Sequence, residues 1–389
     1  MDDNQNGKTI GVVTTSRSDY GIYFPILKKI QESTFNLKLF VTGMHLSPEF
    51  DKTIDNITHD GFPIAETIEM LLSSDSPDAI SKSMGLGIIA FSQCFTKKRP
   101  DILIVLGDRF EMYSAVIAAL PYKIPIAHIH GGEITQGAID DVIRHSITKH
   151  SHLHFVSTTE YARRVHQMGE EKWRIEVSGA PGLDNLNHIK LLNKKELETL
   201  LNISFQGSPV IVTFHPVTLE YEHTEWQINE LLSALANINK PIVFTSPNAD
   251  TNGRIIINKI NQFVNKSEDS FYIKNLGTQA FFSLMNIASV MIGNSSSGII
   301  ESASFKLPVI NIGTRQKGRV KGKNVIDVDY KKESIAKAIK NAINPIFKKS
   351  LKNIDNPYGD GNAAERIIQK LNNTLFDQHF LNKRFQNIN

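Results

Sequence analysis

Ile102-Leu103-Ile104-Val105-Leu106-Gly107-Asp108-Arg109 is the stretch on which the fold class turns. Five apolar residues without alternation describe a strand buried on both faces, and Pro100-Asp101 opens it. Working outward, Ile10-Gly11-Val12-Val13-Thr14 reads the same way, followed by a helix over 21–32 and a second strand over 37–41. Residues 76–98 have a helical pattern, and a further strand over 124–130 ends in Gly131-Gly132. Strands of this kind alternating with helices imply α/β architecture, a parallel sheet covered on both faces.

The pattern breaks at Ser178-Gly179-Ala180-Pro181-Gly182 and passes into a polar helix over 193–202. A second series then follows, with strands over 210–214, Ile242–Thr245, 290–292 and Val309–Ile312, and a last helix over 363–375. The expected division is a Rossmann-like domain over 1–184, a second over 185–372, and a tail over 373–389. Two consecutive α/β domains place a ligand cleft between them, at the carboxyl ends of both sheets. A chain of 389 residues is long enough for two such cores.

The 43 basic and 40 acidic side chains leave a net charge of +3, which argues against a nucleic-acid or anionic-membrane binder. One cysteine, Cys94, allows no internal disulfide and fits a reducing compartment, in the role of a buried apolar residue. The polar start Met1-Asp2-Asp3 does not form a signal peptide, and no apolar run reaches the ~20 residues of a membrane helix. The expectation is a soluble, cytoplasmic protein.

Chemistry-bearing residues gather after strands. Thr15-Ser16-Arg17-Ser18-Asp19 follows the first, where Arg17 offers a planar fork to phosphate and Ser18 or Asp19 can cap the next helix; a plain capped turn explains this motif equally well. Asp108 and Arg109 follow the strand at 106 and, in isolation, read as a surface ion pair. In His128-Ile129-His130-Gly131-Gly132-Glu133 the two histidines would share a strand face. His-x-His is also a metal-ligand spacing, but hydrogen-bonding or acid/base roles fit better without cysteines or a His-Glu-x-x-His pattern. Asp140 and Arg144, four apart on a helix, can be a simple pair.

In the second series, His215 precedes Pro216 at a strand end, and Asn248 and Asp250 follow another strand. Gly293-Asn294-Ser295-Ser296-Ser297-Gly298-Ile299-Ile300-Glu301 opens a helix, presenting N–H groups and hydroxyls to an anion favoured by the helix dipole. A serine-rich N-cap is the plainer alternative. Glu301, about two turns in, can reach ribose hydroxyls, and Arg315 lies just past a further strand.

Together, TTSRSDYG, GDRFE, HIHGGE, IDDVIRH, FHP, SPNAD, GNSSSGIIE and INIGTRQKGR, in order from Thr14 to Arg319, resemble the hydrolysing UDP-N-acetylglucosamine 2-epimerases of sialic- and legionaminic-acid synthesis. The resemblance implies a GT-B-like fold with an interdomain active site, no metal or nicotinamide cofactor, and a homodimer or homotetramer. It implies a first domain that handles the sugar and a second that binds UDP. In the implied reaction UDP-GlcNAc and water give N-acetylmannosamine and UDP. By motif match, Arg17, Asp19, His215, Asn248, Asp250, Ser295, Ser296, Glu301 and Arg315 bind substrate UDP, while Asp108, Glu133, Asp140, His130, Arg109 and Arg144 do acid/base and sugar work.

Many members carry HIEGGE, with a glutamate implicated in catalysis where this chain has His130. The departure leaves two points open, the C-2 base and the sugar. UDP-GlcNAc ranks ahead of UDP-2,4-diacetamido-2,4,6-trideoxyglucose. A GT-B glycosyltransferase and a non-catalytic UDP-sugar sensor are the rival classes.

Overall fold

The computed structural model describes residues 7–48, 52–74, 76–135, 139–247 and 253–387. They form two compact units. The first contains a parallel sheet of β1 (Thr9–Thr14), β2 (Asn36–Thr42), β3 (Ile64–Ile68), β4 (Ile102–Leu106), β5 (Ile126–Ile129), β6 (Leu153–Val156) and β7 (Ile175–Val177), in the order β3-β2-β1-β4-β5-β6-β7. The apolar runs occupy its middle. Ile10 and Val12 on β1 pair in register with Ile102 and Ile104 on β4, all fully buried. Burial on both faces is why these strands show no alternation.

The second unit repeats the plan with β8 (Val210–Thr213), β9 (Ile242–Thr245), β10 (Ser270–Ile273), β11 (Val290–Gly293), β12 (Val309–Ile312) and β13 (Val325–Val328), ordered β10-β9-β8-β11-β12-β13. In each sheet the order reverses once, between β1 and β4 and between β8 and β11. The loops leaving those pairs diverge to opposite faces and open a crevice at the carboxyl ends. Each unit therefore presents its own crevice, lined by the segments after 14, 106, 213 and 293.

The last segment departs from the expected division. Gly359–Asn389 belongs to the first unit, so neither the domain limit at 372 nor a separate tail holds. The helix Ala363–Asn372 buries Ala364, Ile367, Ile368 and Leu371 in the first core, beside Tyr23, Ile26 and Ile30 of the helix Arg17–Gln31. The buried Asp184 carboxylate starts that helix by accepting N–H bonds from Ala363 (2.9 Å) and Ala364 (2.6 Å). Periodicity showed an amphipathic helix; only packing showed which core receives it.

Cys94 is buried in the helix Pro77–Lys98, and burial pushes its thiol up to about 11. Among the described residues no helix is long and apolar enough to cross a membrane.

Candidate active site

In the first unit, the turn after β1 is built around Asp19. Its carboxylate accepts from Thr14 Oγ1 (2.7 Å), Thr15 N (2.9 Å), Thr15 Oγ1 (2.6 Å) and Ser16 N (3.1 Å). Burial opposes the charge, but hydrogen bonding from the His45, Thr15 and Thr14 side chains outweighs it and holds the carboxyl below its ordinary range. Asp19 thus braces the helix start from inside, with its oxygens spent on the turn. Arg17, the first helical residue, is exposed and makes no ion pair or hydrogen bond among the described residues.

After β4 the expected Asp108–Arg109 pair is absent as such. Arg109 turns to Glu111, with Nη2 2.8 Å from Oε1 and Nε 3.2 Å from Oε2. Glu111 is fully buried at the start of the helix Phe110–Ala119. Burial disfavours the Arg109 charge; Glu111 outweighs that, with Asp19 and Asp140 adding to it, and its pKa lies above the ordinary value. Asp108 instead receives Nη2 of Arg144, whose Nη1 lies 3.5 Å from Glu133 Oε2. Arg144 is 3% exposed and Glu133 likewise, whereas the Asp108 side chain retains 25%. Two carboxylates therefore flank one buried guanidinium, and one of them reaches solvent.

The two histidines do not share a strand face, contrary to expectation. β5 ends at Ile129, and His130 takes a left-handed conformation with φ +64. His128 is sealed in, its ring bonded to Gly107 O (2.8 Å) and near Thr148 Oγ1 (3.1 Å). Burial pushes His128 down to about 3, so it serves as a neutral structural group. His130 joins the carboxylates: Nδ1 lies 2.7 Å from Glu133 Oε1. The glycines between them are required, because a Cβ on Gly132 (φ +76) would lie 2.6 Å from Tyr161 O. On the helix Ile139–His150 an i,i+4 contact joins Asp141 and His145, at 3.7 Å.

Sequence reasoning missed Ser157, which follows β6 and bonds both His130 Nδ1 (2.9 Å) and Glu133 Oε1 (3.2 Å). A lone serine after a strand carries no motif. It also missed Glu111 as Arg109's partner, although GDRFE contains both.

In the second unit, Gly293 (φ +137) lets β11 approach β8 closely; a Cβ there would lie 1.9 Å from Thr213 O. Asn294, fully buried, then spans to the loop after β8: Oδ1 accepts from His215 N (2.7 Å) and Nδ2 donates to His215 O (2.8 Å). Asn294 O accepts from Arg315 Nη1 (3.1 Å) and Gln316 Nε2 (2.8 Å). One asparagine thus ties together three loops carrying His215, Ser295 and Arg315. Its place between Gly293 and Ser295 was the available signal.

The helix expected to open in the Gly293–Glu301 run is a single turn, Ser297–Ile300, continued by the 3₁₀ turn Ser302–Phe305. So short an element sums few peptide dipoles, and Glu301 ends the turn instead of lying two turns in. What this segment presents is the loop's N–H groups and the side chains of Ser295 and Ser296, which are only partly buried. Asn248 and Asp250 lie outside the described residues.

Comparison with known proteins agrees with this layout. Residues 28–372 match the family model described as UDP-N-acetylglucosamine 2-epimerase. The chain is 42% identical to a Campylobacter jejuni protein named GDP/UDP-N,N'-diacetylbacillosamine 2-epimerase (hydrolyzing), over 82% of this chain and 84% of that one. It is 36% identical to the Legionella pneumophila UDP-N,N'-diacetylbacillosamine 2-epimerase (hydrolyzing), covering 95% and 97%. It is 39% identical to the Escherichia coli polysialic acid biosynthesis protein P7, covering 93% and 94%. The crystal structure of Neisseria meningitidis UDP-GlcNAc 2-epimerase bound to UDP-GlcNAc aligns with TM-score 0.78 at 20% identity, over 93% of this chain and 99% of that one. That likeness establishes the fold, GT-B-like with two parallel α/β sheets.

Proposed function

This chain belongs to the UDP-N-acetylglucosamine 2-epimerase family, among its hydrolysing members, and from that premise we propose that its substrate is UDP-N,N'-diacetylbacillosamine, the UDP-linked 2,4-diacetamido-2,4,6-trideoxyglucose. Water and this sugar nucleotide give free 2,4-diacetamido-2,4,6-trideoxymannose and UDP. The names of two relatives, at 42% and 36% identity, support this sugar over UDP-GlcNAc and reverse the ranking from motifs alone. The family description, and a Neisseria meningitidis relative named UDP-N-acetylglucosamine 2-epimerase at 29% identity, keep UDP-GlcNAc as the second reading.

The observation that carries the chemistry is the chain His130–Glu133–Arg144–Asp108, which couples three titratable groups through one buried cation. A base takes the C-2 proton, the C-2–H electrons form the C-1=C-2 double bond, and the C-1–O bond breaks as UDP leaves. Water then adds at C-1 while C-2 is reprotonated on the other face, inverting it. In this reading Asp108, Glu133, Asp140 and His130 divide the proton transfers, with Arg109 and Arg144 countering carboxylate charge. Arg17, His215, Asn248, Asp250, Ser295, Ser296, Glu301 and Arg315 hold UDP and its developing charge. Asp19 acts by holding Arg17's turn. The same reading carries a cytoplasmic homodimer or homotetramer, checked by light scattering.

The test is incubation with each UDP-sugar alone in deuterium oxide, followed by mass spectrometry and NMR. Deuterium at C-2 of the freed diacetamido sugar, with UDP released, supports the reading. Turnover of UDP-GlcNAc alone returns the substrate to that sugar. Binding of both without turnover overturns the enzyme reading in favour of a sensor, and turnover only with an added acceptor favours a transferase.

A further inference from the structure

Ser157, His130 and Glu133 form a closed triangle. Nδ1 of His130 lies 2.7 Å from Glu133 Oε1 and 2.9 Å from Ser157 Oγ, and the two oxygens are 3.2 Å apart. All three residues are buried. An acceptor carboxylate facing a bare ring nitrogen at this distance would be repulsive, so the proton sits on Nδ1 and points at Glu133. Ser157 then has one role left. Its hydroxyl donates to Glu133 Oε1 while its lone pair faces the Nδ1–H, and two protons satisfy three edges. The opposite tautomer would set Nδ1 and Oε1 lone pair to lone pair.

The other ring nitrogen, Nε2, makes no hydrogen bond among the described residues. The ring retains 10% exposure. The backbone at His130 is held in the left-handed region, at φ +64, by a bond from its own N–H to Phe155 O (3.1 Å). A β-strand conformation would instead turn the ring back into the sheet alternation. The groups around the ring are Glu133 and Ser157 directly, Arg144 and Asp108 behind Glu133, His128 on β5, and Arg164 through Gly132 O.

We infer that Ser157 is the positioning residue that fixes His130 as its Nδ1–H tautomer, and that His130 Nε2 is the base that takes the C-2 proton; the inference rests on the function proposed above. In the step, the C-2–H bond breaks and the proton passes to Nε2. The electron pair forms the C-1=C-2 bond and the C-1–O pair departs with UDP. The imidazolium that results keeps its Nδ1–H on the Glu133 carboxylate, which balances the charge, and returns the Nε2 proton to solvent after UDP release. A different acid reprotonates C-2 from the opposite face.

The experiment measures C-2 exchange, KM and the primary deuterium isotope effect of C-2-deuterated substrate. Ser157→Ala is expected to slow exchange about tenfold or more, to raise the isotope effect, and to leave KM and UDP affinity within about twofold. Ser157→Thr, which keeps the hydroxyl, restores the rate. His130→Ala is expected to lose exchange by about a hundredfold or more and to regain part of it with imidazole added to the buffer. Exchange in Ser157→Ala within twofold of the natural enzyme overturns the inference, as does a slower rate with an unchanged isotope effect. Exchange retained in His130→Ala overturns it as well. A natural enzyme inactive on both UDP-sugars overturns the underlying function instead, so the two failures are distinct.

Discussion

Replacing Asn294 by alanine tests how the nucleotide loops are held together. The side chain is fully buried and makes two bonds of 2.7 and 2.8 Å, to the N–H and the carbonyl of His215. Alanine strips both bonds, and the backbone carbonyl of residue 294 keeps its contacts with Arg315 and Gln316. A buried polar group deprived of its partner costs about 1–3 kcal/mol. Two such groups, partly resolvated as the loop relaxes, make the expected loss about 2–4 kcal/mol for the second unit. Because the same two bonds fix where His215 stands, UDP affinity should fall about tenfold or more. Asn294→Asp is the sharper companion, since it keeps the acceptor for His215 N–H but sets a carboxylate oxygen against the His215 carbonyl. Urea unfolding followed by circular dichroism, with calorimetric titration of UDP, measures both effects. A stability loss under about 1 kcal/mol with unchanged UDP affinity would refute the reasoning.

Ser295→Ala combined with Ser296→Ala should weaken UDP binding about tenfold or more and leave the unfolding midpoint in place, since both serines are only partly buried; normal affinity removes them from the nucleotide site. Asp108→Asn should abolish C-2 exchange while UDP still binds, and retained exchange takes Asp108 out of the acid/base set. Glu170 tests the first unit's stability against pH. Burial opposes its charge, but its bond to His154 and the nearby Lys383 and Lys149 outweigh that and hold it down at about 2. A depressed carboxyl contributes stability above its unfolded value, near 4.5, and loses it as pH falls towards 2. Glu170→Gln should therefore cost about 3 kcal/mol at pH 7, with the difference closing between pH 4.5 and 2. A constant difference across that range would show that the ion cluster is not its origin.

Central strands were legible and peripheral ones were not. Ile102–Leu106, Ile242–Thr245 and Val309–Ile312 form at their expected limits because neighbours on both sides keep them dry. The edge strands β3, β7, β10 and β13 escaped notice because they are for the most part only partly buried, so their residues need not be apolar. β6 escaped for another reason. It is fully buried but carries His154, tolerated there because Glu170, sixteen residues on, meets it at 3.0 Å.

By itself the sequence determined that two parallel α/β sheets form, and which segments carry Asp108, Arg109, Glu133, Arg144, His215 and Ser295. Both follow from local causes: burial on two faces demands apolar runs, and in a doubly wound sheet polar chemistry gathers where strands end. Only the tertiary structure decided who pairs with whom. Arg109 goes to Glu111 and Arg144 to Asp108 and Glu133, Ser157 joins His130, and the final helix returns to the first core. Apart from Arg109 and Glu111, which are two residues apart, those choices join segments distant in the chain. Adjacency and periodicity report the face a side chain occupies, and the partner waiting on that face is set by how the elements pack.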